Sequence, residues 1–133
     1  MSRTAPGDPR QTLGRRGEQL AARFLERAGL RVIERRFRLR CGEIDLIALD
    51  REWVVFIEVK TRRGSGYGTP AESVTPFKQR KMARTALAFL AGRGWHERPC
   101  RFDVVEVVER GKIPEIRHIP DAFRLGLGAG PAS

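Results

Sequence analysis

The 133-residue sequence predicts a single α/β domain, a mixed central sheet flanked by helices in the order α-β-β-β-α-β-β. Three observations carry that reading. Leu20, Ala21, Phe24, Leu25 and Ala28 recur at helical spacing. Two apolar strand-like runs adjoin one another between Gly42 and Arg62, joined by a short polar turn. A second helix opens sharply at Thr75-Pro76 and is followed by another apolar run, so strands lie on both sides of a crossover helix.

The length suits one compact domain, and a composition of 41% hydrophobic and 32% charged residues is that of a soluble globular chain. No apolar run is long enough to span a bilayer, and MSRTAPGDPRQ lacks the apolar stretch of a signal peptide. Cys41 and Cys100 form no zinc-type cluster, so reduced thiols in a cytoplasmic protein are expected. Twenty-six basic against sixteen acidic residues give a net charge of +10. That excess favours polyanions, nucleic acid ahead of a membrane surface, although an arginine-leaning codon bias also contributes.

Residues 1–11 read as a flexible tail, 12–123 as the folded domain and 124–133 as a second tail. The first helix is expected over Leu13–Ala28, with Thr12 as N-cap and Gly29 as C-cap. Glu18 lies at the margin of its apolar stripe, where a first-turn acid facing the helix dipole is the plain reading. A strand follows over Leu30–Phe37, then the basic run Arg35, Arg36, Arg38 and Arg40. The central hairpin pairs Ile44–Leu49 with Val54–Lys60. Arg62–Ser73 is a Gly-rich loop without the GK[ST] ending of a phosphate-cradling loop; it offers Arg62, Arg63 and Tyr67 as substrate contacts or serves as a connector.

The second helix is expected from Pro76 to Ala91, with Thr75 as N-cap and Gly92 at its end. Its buried stripe is read as Ala83, Ala86, Leu87 and Leu90, with Gln79 one turn before it. Lys78, Arg80, Lys81 and Arg84 spread over the flanks. Strands over Arg101–Val108 and Ile113–Ile119 close the sheet. His96 and His118 are isolated and read as surface residues.

The chemistry concentrates in the hairpin. Strand side chains alternate between faces, so Glu58 and Lys60 share a face, and Asp45 meets Glu58 across the ladder if the strands pair. Two carboxylates beside an ammonium suit a hard divalent cation such as Mg²⁺. Spacing alone is weak, since D-x(8–20)-E-x-K arises by chance in roughly one chain in three of this length. By itself it favours a solvated sheet face; the apolar strands around it supply the context that raises the reading.

Taken with Gly14, Gly17 and Glu18, the stretches GEIDLI (42–47) and FIEVKTR (56–62), and the later Gly68, Pro70, Lys78 and Arg101-Phe102-Asp103, the chain resembles the YraN-like family of small bacterial proteins. That family is similar in fold to archaeal Holliday junction resolvases, within the PD-(D/E)XK nuclease superfamily, and the resemblance spans Leu13 to Val108. Ile44 stands where the superfamily often has Pro before the Asp.

The resemblance implies a restriction-endonuclease-like domain and a metal-dependent endonuclease that hydrolyses DNA in branched or structured form. It implies Asp45 and Glu58 as ligands of Mg²⁺ or Mn²⁺, with the Val59 carbonyl as a third oxygen. Lys60 would act on the attacking water, Glu18 as an outer ligand, and Gln79 as a polar lining residue. Glu43 would be an extra ligand or a strand-edge acid. Phosphate contacts are expected from Arg35, Arg36, Arg38, Arg40, Arg62, Arg63, Lys78 and Lys81, with backbone recognition ahead of base stacking because few aromatics are interleaved. A resolvase needs two sites and hence a homodimer; RNA stays open as a substrate. The rival reading is a non-catalytic nucleic-acid-binding module.

Overall fold

The computed structural model describes residues 9–63, 74–109 and 111–124. The element order is α1 (Pro9–Arg27), β1 (Arg31–Leu39), β2 (Gly42–Asp50), β3 (Trp53–Arg63), α2 (Pro76–Arg93), β4 (Cys100–Glu109) and β5 (Glu115–Phe123), the predicted order. The strands form one sheet in sequence order, β1-β2-β3-β4-β5. All neighbours are antiparallel except β3 and β4, which run parallel. A parallel pair needs a crossover long enough to return the chain to the same end, and α2 lies in that connection.

Alternation along β3 splits the core in two. Val54 and Phe56 join Met82, Ala86, Phe89 and Leu90 of α2. Val55 and Ile57 join Ala21, Ala22 and Leu25 of α1. Successive strand residues point to opposite faces, so the helices cover opposite sides of the sheet.

Several boundaries differ from the sequence reading. The first helix starts at Pro9, so Thr12 lies inside it and is not its N-cap. Pro suits a helix start, because its missing N–H would have no intrahelical partner there. The flexible segment expected over 1–11 therefore overlaps the helix at 9–11, and residues 1–8 and 125–133 lie outside the described residues. On α2 the stripe is turned from the expected one: Met82, Thr85, Ala86, Phe89 and Leu90 are buried, whereas Leu87 is 50% exposed. The bulkier Met82 and Phe89 take the core. Gly94, at φ 69°, caps α2 in place of Gly92, its N–H donating to the Ala91 and Leu90 carbonyls.

One close approach sets α1 against the sheet. A Cβ on Gly17 would lie 2.1 Å from Thr61 Oγ1. Glycine lets the helix backbone settle on β3 there, and Glu18 is the next residue.

Candidate functional site

Asp45 occupies a break in the β-ladder. The β2–β3 pairing runs from Asp50 opposite Trp53 to Leu46 opposite Ile57, and Asp45 and Glu58 come one step beyond. On the other side the β1–β2 pairing passes over Arg36 and Asp45, and Arg36 adopts φ 54°, an uncommon conformation for a side-chain-bearing residue. The Val59 N–H donates to Asp45 Oδ2 at 2.8 Å. A carboxylate thus accepts from a backbone donor of the adjacent strand just past the last backbone pair.

Glu58 is 3% exposed and is met by two ammonium groups. Lys60 Nζ stands 3.4 Å from Glu58 Oε2, as the shared face requires. Lys78, in the first turn of α2, donates to the same oxygen. Thr75 holds that turn in place, its Oγ1 accepting from the Lys78 N–H at 3.2 Å, with Pro76 fixing the first helical position. Asp45, Glu58, Thr75 and Lys78 line one cavity of about 550 Å³, with Leu39 and Phe77 also on its walls.

The electrostatics follow from that crowding. Burial is the main cause that pushes the Asp45 carboxyl from 3.8 up to about 8. The Glu58 charge adds to it and Glu18 adds less, while the Val59 hydrogen bond and the Lys78 charge oppose it incompletely. Burial works against the Lys78 ammonium, but Glu58, by charge and hydrogen bond, and then Asp45 outweigh it and raise its pKa. The pair of acids calls for positive charge, and Lys78 supplies it.

The donor set fits a divalent cation. Asp45 and Glu58 offer hard oxygens on a wall of one cavity, and the anionic form of Asp45 is disfavoured until a cation compensates it. Among the described residues no group of three or more His, Cys, Asp or Glu side chains gathers as a metal cluster. A cation here would use two carboxylates and take its remaining oxygens from backbone, water or phosphate.

The other expected residues divide. Glu18 accepts from Arg36 Nε at 2.7 Å and acts on Asp45 by charge. Gln79 Nε2 donates to the Val74 carbonyl at 2.9 Å, so its amide ties down the segment preceding α2. Glu43 pairs with Arg38 at 2.6 Å on the cavity wall. Of the eight cations expected on phosphate, Arg38, Lys78 and Lys81 line the cavity. Arg62 is paired with the buried Glu106 at 2.9 Å, Arg35 and Arg40 are exposed in and beside β1, and Arg63 is exposed at the end of β3. Tyr67, Gly68 and Pro70 lie outside the described residues.

Two features were not anticipated. Lys78, expected on a flank as a phosphate contact, stands four residues before Met82, in line with the true buried stripe, and pairs with Glu58. His118 is not an isolated surface residue: its Nε2 lies 2.7 Å from Asp103 Oδ2, with its ring edge-on to Phe24. Asp103 is fully buried. It accepts from Arg101 Nε at 3.0 Å and from the Asp121 N–H at 2.9 Å, pinning the irregularity where β5 shifts register against β4.

Comparison with known proteins agrees with the extent of this fold. A protein of Rhodococcus jostii named UPF0102 protein is 51% identical over 112 residues, covering 84% of this chain and 95% of its own length. Its namesake from Geobacter sulfurreducens is 50% identical over 114 residues, 85% of this chain and 89% of its own. One from Symbiobacterium thermophilum is 59% identical over 95 residues, 71% of this chain and 80% of its own. The family model described as "Uncharacterised protein family UPF0102" matches residues 17–107, from the close approach of α1 to the far end of β4, and the chain belongs to that family.

Proposed function

We propose that this protein is a metal-dependent endonuclease that hydrolyses DNA phosphodiester bonds. The observation that carries the reading is the joint position of Asp45 and Glu58 on one cavity wall, with Lys60 Nζ 3.4 Å from Glu58 Oε2. The resemblance of these residues to the PD-(D/E)XK nucleases supports it, as does the net charge of +10.

Asp45 and Glu58 would hold Mg²⁺ or Mn²⁺, with the Val59 carbonyl as a further oxygen. Such an ion polarises the phosphate and lowers the pKa of water. Lys60, oriented by Glu58, would align the attacking water, whose proton passes to bulk solvent. Water oxygen bonds to phosphorus, one ester P–O bond breaks, and the leaving oxygen takes a proton from solvent. Lys78 and Lys81 neutralise charge on the phosphate oxygens. Glu18 holds Arg36 and, through its charge, keeps Asp45 avid for a cation. Arg35, Arg40 and Arg63 extend the contact along the backbone. Symmetric cutting of a branched DNA requires two copies, hence a homodimer.

A second reading, a non-catalytic nucleic-acid-binding module, draws on Lys78: an internal ammonium already satisfies Glu58. Labelled duplex, single strand, flap and four-way junction, with RNA counterparts, separate the two when incubated with Mg²⁺ or Mn²⁺. Cutting that requires metal and vanishes in Asp45→Asn and Lys60→Ala supports the nuclease. Salt-dependent binding without cutting, the same in all three proteins, supports the module. Cutting that survives both substitutions rejects the residue assignment.

A further inference from the structure

The mouth of the cavity carries two exposed apolar side chains among its charged ones, above the buried carboxylate of Glu58. Phe77, directly after Pro76 in the first turn of α2, is 63% exposed, and Leu39, at the end of β1, is 41% exposed. Single exposed apolar side chains are ordinary, but these two line the same opening as Asp45 and Glu58. Lys81 Nζ lies over the Phe77 ring, 5.3 Å from its centroid, so a cation covers one face of the aromatic and a base would stack on the other.

The gap between the two rims is set by direct contact. A Cβ on Gly42 would lie 2.9 Å from Thr85 Oγ1 and 3.2 Å from the Lys81 carbonyl, so the turn between β1 and β2 rests on α2 itself. Cys41 Sγ is 3.4 Å from Thr85 Oγ1 in the same contact. Leu39 and Phe77 are therefore carried on two elements locked together, and the cleft is formed before a ligand arrives.

A ligand that satisfies both parts of the site has a flat apolar body joined to a phosphate. In a regular duplex the base faces are stacked inside, and a side chain lying alongside meets sugars, phosphates and base edges but no base face. An unpaired nucleotide presents a free face. We propose that Phe77 and Leu39 form a stacking cleft for an unpaired DNA base next to the phosphate at Asp45 and Glu58, so that the favoured substrate has an unstacked nucleotide at the reacting step. This rests on the nuclease reading for the position of the phosphate, but binding alone tests it.

Fluorescence anisotropy without divalent metal, on labelled DNAs of equal length, compares a full duplex, a duplex with an unpaired stretch, and the same with abasic sites in that stretch. The wild type prefers the unpaired stretch, and Phe77→Ala weakens that complex about tenfold while leaving the duplex unchanged. Phe77→Trp keeps the preference, and abasic DNA lowers wild-type binding to the Phe77→Ala level. Loss on duplex and unpaired DNA alike, or no loss, overturns the cleft. So does a self-associated wild type that Phe77→Ala turns monomeric in sedimentation, since a second copy would then be the occupant. If the pattern holds but no metal produces cutting, the nuclease reading fails and the cleft stands; cutting with a flat Phe77 response has the opposite meaning.

Discussion

Lys78 Nζ, in the first turn of α2, donates to Glu58 Oε2 on β3, and Lys60 Nζ approaches the same oxygen at 3.4 Å. Glu58 and Asp45 are crowded acids, and the Lys78 ammonium already holds a Glu58 oxygen that a divalent cation would use. On the proposed function, a cation held by Asp45 and Glu58 would compete with Lys78 for that oxygen. Lys78→Met should then bind Mn²⁺ several-fold more tightly and DNA more weakly, because a competing charge and a phosphate contact are both removed. Electron spin resonance titration of free Mn²⁺ measures the first effect. Unchanged Mn²⁺ affinity would mean that Lys78 and the cation do not compete.

The Asp45 carboxyl sets a pH dependence of known sign. Its pKa rises from 3.8 to about 8 on folding, so between those values the folded chain keeps a proton that the unfolded chain has released. The stability this group contributes is complete at the acid end of that window and is lost as pH rises towards its upper end. Asp45→Asn removes the dependence. In metal-free buffer it should gain about 1–3 kcal/mol over wild type on going from pH 5 to pH 9. Parallel urea-unfolding profiles for the two proteins would contradict this. Divalent cation competes with the proton, so Mn²⁺ should release one and flatten the wild-type profile.

Gly17 makes a sharp steric prediction. A methyl group there would meet Thr61 Oγ1 at 2.1 Å, so Gly17→Ala forces α1 away from β3 and carries Glu18 with it. The expected cost is about 1–3 kcal/mol. Adding Thr61→Gly should recover much of it, because both Oγ1 and the Cβ at 3.2 Å are then gone. A double-mutant cycle in urea detects the coupling, and strictly additive losses would place the strain elsewhere.

Asp103 should be the costliest of the acids to remove. It is buried and accepts from Arg101, His118 and the Asp121 N–H. Asp103→Ala leaves those donors without their acceptor and frees the β5 irregularity, for an expected loss of about 3–5 kcal/mol. Removing one donor by His118→Ala should cost less, about 1 kcal/mol. Thermal unfolding of both variants gives the ranking, and an equal or reversed order would show that the carboxylate is not the anchor.

The sequence by itself determined what depends on neighbours along the chain. Period-two alternation put Glu58 and Lys60 on one face, the short turn brought Asp45 to Glu58, and Thr75-Pro76 marked the start of α2. Helix phase was less legible, because the apolar residues of α2 wrap around it and only contact with the sheet selected Met82 and Phe89 over Leu87. Tertiary structure alone decided the rest. Lys78 reaches Glu58 and His118 reaches Asp103 across 20 and 15 residues of chain. Glu18 is held by Arg36, whose positive φ belongs to the break in the ladder beside Asp45. Pairs of this kind arise when elements dock, and no local period records them. The Asp45 pKa has the same origin: burial and a second carboxylate set it, and both exist only once the sheet and α2 have closed around the cavity.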